Sequence, residues 1–199
     1  MGQQRQRRLP AAQYDIVKTG AFASFIHTFR DQRIMNKKWK KGRGKLGILQ
    51  PLIGFWVSDS DSEMGPVRCT RTFEQVLQGS YVRLLARWEF GAGDAQAPEK
   101  CSDDSLKGAR VYEEIALIGA GEDGQVGFWS FTSDGKRSQG TLADVSDIHE
   151  DAIGFEAQMP AGMARMAYWP DQGDGFNWVV ESKNAKGWRR FVEHRYRRA

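Results

Sequence analysis

From Gly54 onward, apolar and polar residues alternate in short runs, and most runs close on a cluster of Gly, Asp, Asn or Ser. A period of two places successive side chains on opposite faces, as in a strand that covers a core with one face. The runs predict strands near 54–59, 66–77, 79–90, 110–119, 125–132, 138–145, 152–159, 162–169, 175–183 and 187–197. Between them, Glu122-Asp123-Gly124, Ser133-Asp134-Gly135, Asp171-Gln172-Gly173-Asp174-Gly175 and Asn184-Ala185-Lys186-Gly187 supply residues suited to tight hairpin turns. Short connections make sequential strands pair. The expected fold is therefore all-β, a single up-and-down antiparallel β-barrel of about ten strands. The exception is Gly91 to Ala109, which has no periodicity and is expected to be a long mobile loop, a candidate lid.

Alternation also sorts side chains into faces. Val82, Leu84, Ala86, Trp88 and Phe90 share one face and are expected inside, with Tyr81, Arg83, Leu85, Arg87 and Glu89 outside. On the last strand the expected inward set is Trp188, Arg190, Val192, His194 and Tyr196. Arg71 has the parity of Val67 and Cys69, and Arg165 that of Met163, Ala167 and Trp169, so both are also expected inside. Buried guanidinium groups need carboxylates, water or a bound anion, and Glu113, Glu114 and Glu156 are candidate partners. The candidate ligand-binding residues are Arg71, Trp88, Arg165, Arg190, His194 and Tyr196. Trp129, Trp169, Trp178, Met163 and Met166 suit an apolar cavity wall beside them.

The chain before the strands differs in character. Residues 1–45 hold 12 of the 29 Lys and Arg against two acidic residues, Asp15 and Asp31, so the basicity belongs to this arm and the remainder is acidic. Its first ten residues are expected to be disordered. Thr19 caps a predicted helix whose Phe22, Phe25, Ile26 and Phe29 form one apolar stripe, suited to the barrel wall, another subunit of a homodimer, or an anionic lipid surface. The run from Asn36 to Lys45 surrounds Trp39 with basic residues, either as a solvated linker or, through residues 37–45, as a contact for a membrane surface or nucleic acid. Two units follow: a basic extension, 1–45, and a barrel, 46–199.

The start lacks the apolar stretch of a secretory signal, and no run of about eighteen apolar residues occurs. Cys69 and Cys101 form no disulfide framework and no metal-ligand spacing. The expected location is cytoplasmic. No nucleophile motif, phosphate loop or metal motif is present.

Four runs carry a resemblance: Leu49 to Trp56 (LQPLIGFW), Phe73 to Val82 (FEQVLQGSYV), Tyr112 to Gly119 (YEEIALIG) and Gly127 to Phe131 (GFWSF). Residues 46–199 resemble bacterial lipocalin-like (calycin) proteins, and more distantly nitrobindin-like and fatty-acid-binding-protein-like barrels. The resemblance implies that Gly54-x-Trp56 opens the barrel, that Trp56 closes one end, and that Arg195, Arg197 or Arg198 packs over it. Fatty-acid-binding proteins hold a carboxylate with an Arg-x-Tyr pair on the last strand, where this chain has His194-x-Tyr196. Haem-binding nitrobindins carry Gly-x-Trp-x-Gly-x-Gly, whereas this chain continues Val57-Ser58-Asp59-Ser60, so haem on His194 is not expected, nor any other cofactor. The implied function is binding of an amphiphilic or anionic small molecule. The alternatives are an isomerase or lyase using His194 and Tyr196 as acid and base, or a passive barrel docked through its arm.

Overall fold

The computed structural model describes residues 38–62, 65–91 and 110–199. The expected disordered start, the apolar stripe at 22–29, Cys101 and the expected loop beyond Gly91 lie outside the described residues. Ten strands follow one another: β1 (Gly54–Ser62), β2 (Gly65–Val76), β3 (Tyr81–Phe90), β4 (Arg110–Ala120), β5 (Val126–Thr132), β6 (Arg137–Ala143), β7 (Ile153–Met159), β8 (Gly162–Pro170), β9 (Phe176–Asn184) and β10 (Gly187–Arg198). Each pairs antiparallel with its sequence neighbours, and β1 closes on β10 through Trp56 opposite Arg198 and Val57 opposite Arg197. The result is a closed ten-stranded up-and-down barrel, as the turn spacing predicts, and consistent with a lipocalin-like fold. The turn residues act as expected. Asp123 accepts from the Gln125 amide at 2.9 Å, Asn184 from the Lys186 amide at 2.8 Å, and Asp171 from the Gly173 and Gly175 amides at 2.8 and 3.0 Å.

One end is plugged. A 3₁₀ segment, Lys45–Leu52, crosses it and buries Leu49 and Leu52 completely. The Trp56 indole N–H donates to the Leu52 carbonyl at 2.7 Å, tying the plug to β1. Of the three arginines that the resemblance offers, Arg198 covers the ring, its guanidinium carbon 4.4 Å from the Trp56 centroid. Gly54 makes this approach possible. Its φ is 137°, and a Cβ there would lie 2.7 Å from Arg198 Nη1. The Gly-x-Trp pair is thus a closure device, and Trp56 packs edge-on to Phe176 at 4.9 Å.

Two inward expectations need correction. On β8 the inward residues are Met166, Tyr168 and Pro170, while Arg165, Ala167 and Trp169 face the outside. They look like core residues because the segment between β6 and β7 roofs them: Val145, with Ile148 and Ala152 around it, packs on Ala167 and Val179 as a second small cluster. Arg165 is buried beneath that roof and paired with Glu181 and Asp147. On β10 a bulge between Arg190 and Val192 inserts one residue. Each residue before the bulge therefore changes face. Val192, His194 and Tyr196 point inward, whereas Arg190 sits opposite Glu181 on the outer face and Trp188 covers Arg165 at 4.3 Å. Trp129 and Met163 likewise alternate to the outside, leaving Trp88, Trp178 and Met166 within.

Candidate functional site

The interior is layered from the plug upward. Beside Trp56 lie Phe73 and Phe176, both buried. Above them is a polar layer built from three strands: Arg71 of β2, Tyr168 of β8 and Tyr196 of β10, all at most 1% exposed. Arg71 Nε donates to the Tyr196 hydroxyl at 3.0 Å and Nη1 to the Tyr168 hydroxyl at 3.1 Å. Its guanidinium lies 3.9 Å from the Trp178 ring centroid and 5.2 Å from that of Trp88. Nη2 is buried with no hydrogen-bond partner among the described residues.

Aromatic faces and phenol oxygens thus take the place of the carboxylates expected around Arg71. Burial opposes the arginine's charge, but Tyr196, Tyr168 and Glu114 outweigh it and hold the guanidinium above its ordinary range. Burial pushes the Tyr168 phenol up to about 12 and raises Tyr196 as well, so both are neutral at physiological pH. The remaining candidate carboxylates lie elsewhere: Glu113 pairs with Arg87 on the exposed face, and Glu156 sits opposite Arg165 on the outer register.

The next layer is His194, Cys69, Ser60 and the two tryptophans. His194 stacks on Trp178, with ring centroids 5.9 Å apart and planes 19° from parallel. Its Nδ1 lies 3.1 Å from Ser60 Oγ and its Nε2 lies 3.9 Å from Cys69 Sγ. Burial, then the Arg71 charge, holds His194 below its ordinary value and therefore neutral. Burial also pushes the Cys69 thiol up to about 11, which keeps it protonated. No group of three or more His, Cys, Asp or Glu side chains is arranged to hold a metal ion among the described residues.

Beyond this layer the barrel is hollow. A cavity of about 860 Å³ opens over Trp88, Trp178 and His194. Phe90, Tyr112, Phe128, Phe155 and Met166 form much of its wall, and Phe191, at the bulge, borders it with most of its side chain exposed. Ser60, Ser138 and Glu114 add polar groups. Three of the six sequence candidates thus converge here as a stack, with Trp88 and His194 in the cavity floor and Arg71 beneath. Tyr196 supports the stack from below without lining the cavity. Arg165 also borders the cavity, with its charge paired to Glu181 and Asp147, whereas Arg190 does not line it and pairs with Glu181 and Glu193.

Tyr168 and Ser60 were not among the candidates. Tyr168 is legible once Met166, Tyr168 and Pro170 are taken as the inward set of β8. Ser60, on β1, carries no sequence signal beyond alternation with Trp56 and Ser58. In the basic run, Trp39 packs on the barrel core while Lys38, Lys40, Lys41 and Arg43 are exposed. No protein-family model matches the chain and no curated protein is similar to it.

Proposed function

We propose that the protein binds a small amphiphilic molecule inside its barrel. The observation that carries this reading is the contrast between the two halves of the interior. The plugged half is filled by Leu49, Leu52, Trp56, Phe73 and Phe176, whereas the other half leaves about 860 Å³ between aromatic, aliphatic and methionine side chains. That volume lies in the range of small-molecule sites, and apolar walls with a few convergent polar groups are their usual lining. A barrel of this kind has room for one ligand.

The ligand's apolar part would rest on Phe128, Phe155 and Met166, and its polar end would face Tyr112, Glu114, Ser60 or His194. No helix among the described residues is long and apolar enough to cross a membrane. The test uses the full chain and N-phenyl-1-naphthylamine, an uncharged apolar probe whose emission rises in dry surroundings. Saturable enhancement at micromolar probe, reversed by medium-chain amphiphiles, is the expected result. Absence of saturable enhancement would overturn the reading.

A further inference from the structure

We infer that the polar end of the ligand is uncharged and carries a hydrogen-bond donor, a hydroxyl or a primary amide, for Glu114. This rests on the binding reading above and specifies the ligand class for the same cavity.

Arg71 is wholly buried and does not line the cavity, so a ligand there meets its field through Trp88 and Trp178 rather than its N–H groups. Glu114 does line the cavity, on β4 at the inward parity of Ala116 and Ile118. It acts on both Arg71 and Tyr168 as a neighbouring charge, yet it accepts no hydrogen bond and makes no ion pair among the described residues. The other charged residues bordering the cavity are engaged outside it: Arg165 with Glu181 and Asp147, and Glu193 with Arg190. The His194 ring is neutral. Glu114 on the cavity wall and Arg71 buried beneath the floor are therefore neighbouring opposite charges, and neither is joined to the other by an ion pair.

This pair of opposite charges changes what the cavity accepts. A ligand carboxylate would be drawn by Arg71 and repelled by Glu114, and would surrender its hydration in a low-dielectric interior for no net attraction. An ammonium group meets the same opposition with the signs exchanged. An uncharged head avoids that cost. It also has a specific partner, because a carboxylate oxygen accepts hydrogen bonds and Glu114 has no donor among the described residues. A hydroxyl or amide N–H supplies one, and a charge-assisted hydrogen bond is stronger than a neutral one. Several inward arginines would favour an anionic ligand. Arg165 borders the cavity with its charge already paired to Glu181 and Asp147, and Arg190 lies on the outer face, so Arg71 remains, already opposed by Glu114.

The experiment compares four ligands with one tail: decanol, decanamide, decanoate and decylamine, each displacing N-phenyl-1-naphthylamine from the full chain at pH 7.5. Decanol and decanamide are expected to bind at least tenfold more tightly than decanoate and decylamine. Glu114→Gln keeps the shape and removes the opposing charge, so decanoate should gain at least tenfold relative to decanol. Decanoate equal to or tighter than decanol in the native protein would overturn the inference, as would an unchanged ranking in a folded Glu114→Gln. The native ranking decides the matter alone if that variant does not fold. Probe entry without any head-group preference removes this inference and leaves the binding reading standing, whereas a probe that does not enter removes both.

Discussion

Arg71 lies against Trp178, its guanidinium carbon 3.9 Å from the ring centroid, while two phenol oxygens take its Nε and Nη1 protons. The cation is thus held without a carboxylate in contact, an arrangement in which shape and π-electron density replace an ion pair. Removing the side chain should therefore hurt mainly through the cavity and the stranded phenols. Arg71→Ala is expected to cost about 3 kcal/mol in urea unfolding. Arg71→Met, which refills the space without a buried charge, should stay within about 1.5 kcal/mol of the native protein. Equal losses in the two variants would show that the charge, rather than the packing, holds this layer.

His194 gives the fold a pH dependence whose sign follows from its surroundings. Burial and then the Arg71 charge depress its proton affinity in the folded state, so the unfolded chain binds the proton more readily. This contribution to stability is complete above the unfolded value near 6.5 and declines as pH falls toward the depressed folded value. The slope is at most about 1.4 kcal/mol per pH unit for a single group. Melting temperatures measured from pH 8 to pH 5 should fall more steeply for the native protein than for His194→Gln. Parallel curves would remove His194 as the source. Asp147, held below the ordinary carboxylate range chiefly by its hydrogen bond from Arg165, acts in a separate window below about pH 4.

How far the fold was legible depended on where strict alternation holds. Through β3, Val82, Leu84, Ala86 and Trp88 are buried in turn, and the Asp, Asn and Gly turns announce each hairpin. Alternation failed at two places for two physical reasons. On β8 a roof of Val145 and Ile148 makes the outer side of Ala167 as dry as an interior, so apolar content no longer identifies the inner face. On β10 one inserted residue at the bulge exchanges faces for Arg190 and Trp188, and nothing in WRRFVEH marks the bulge except Phe191 left exposed. Arg71, Trp88 and His194 lay on unbroken alternation, so their part of the site was readable. The hollow itself was not. Whether inward side chains meet depends on the size of partners contributed by strands far apart in sequence, which alternation does not encode.

Gly154 shows how closely the roof is fitted. A Cβ on this residue would lie 2.3 Å from both γ-carbons of Val145, so the β7 backbone lies directly under the Val145 side chain. Gly154→Ala should lift the roof and cost about 1–3 kcal/mol by overpacking. Val145→Ala makes room for the added methyl. The double variant is therefore expected to recover at least part of the loss, with a coupling above about 0.5 kcal/mol in a double-mutant cycle. Additive costs would mean that the two residues do not share the space.

Cys69 offers a direct probe of the sealed floor. Its thiol is fully buried, lies 3.9 Å from His194 Nε2, and is pushed by burial up to about 11 from the ordinary 9.0. A nearby imidazole often activates a thiol, but here the imidazole sits below its own ordinary value and the desolvated thiolate is disfavoured. At pH 8 the thiolate fraction should be roughly a hundredfold below that of an unperturbed thiol, before any steric protection. In a Cys101→Ser background, Cys69 should therefore resist iodoacetamide in the native protein and react at an ordinary rate in urea. Mass spectrometry of timed quenches measures both rates. Fast alkylation in the folded state would mean that the layer between Arg71 and the cavity opens to solvent, and the charges that set the ligand preference would then be screened by water.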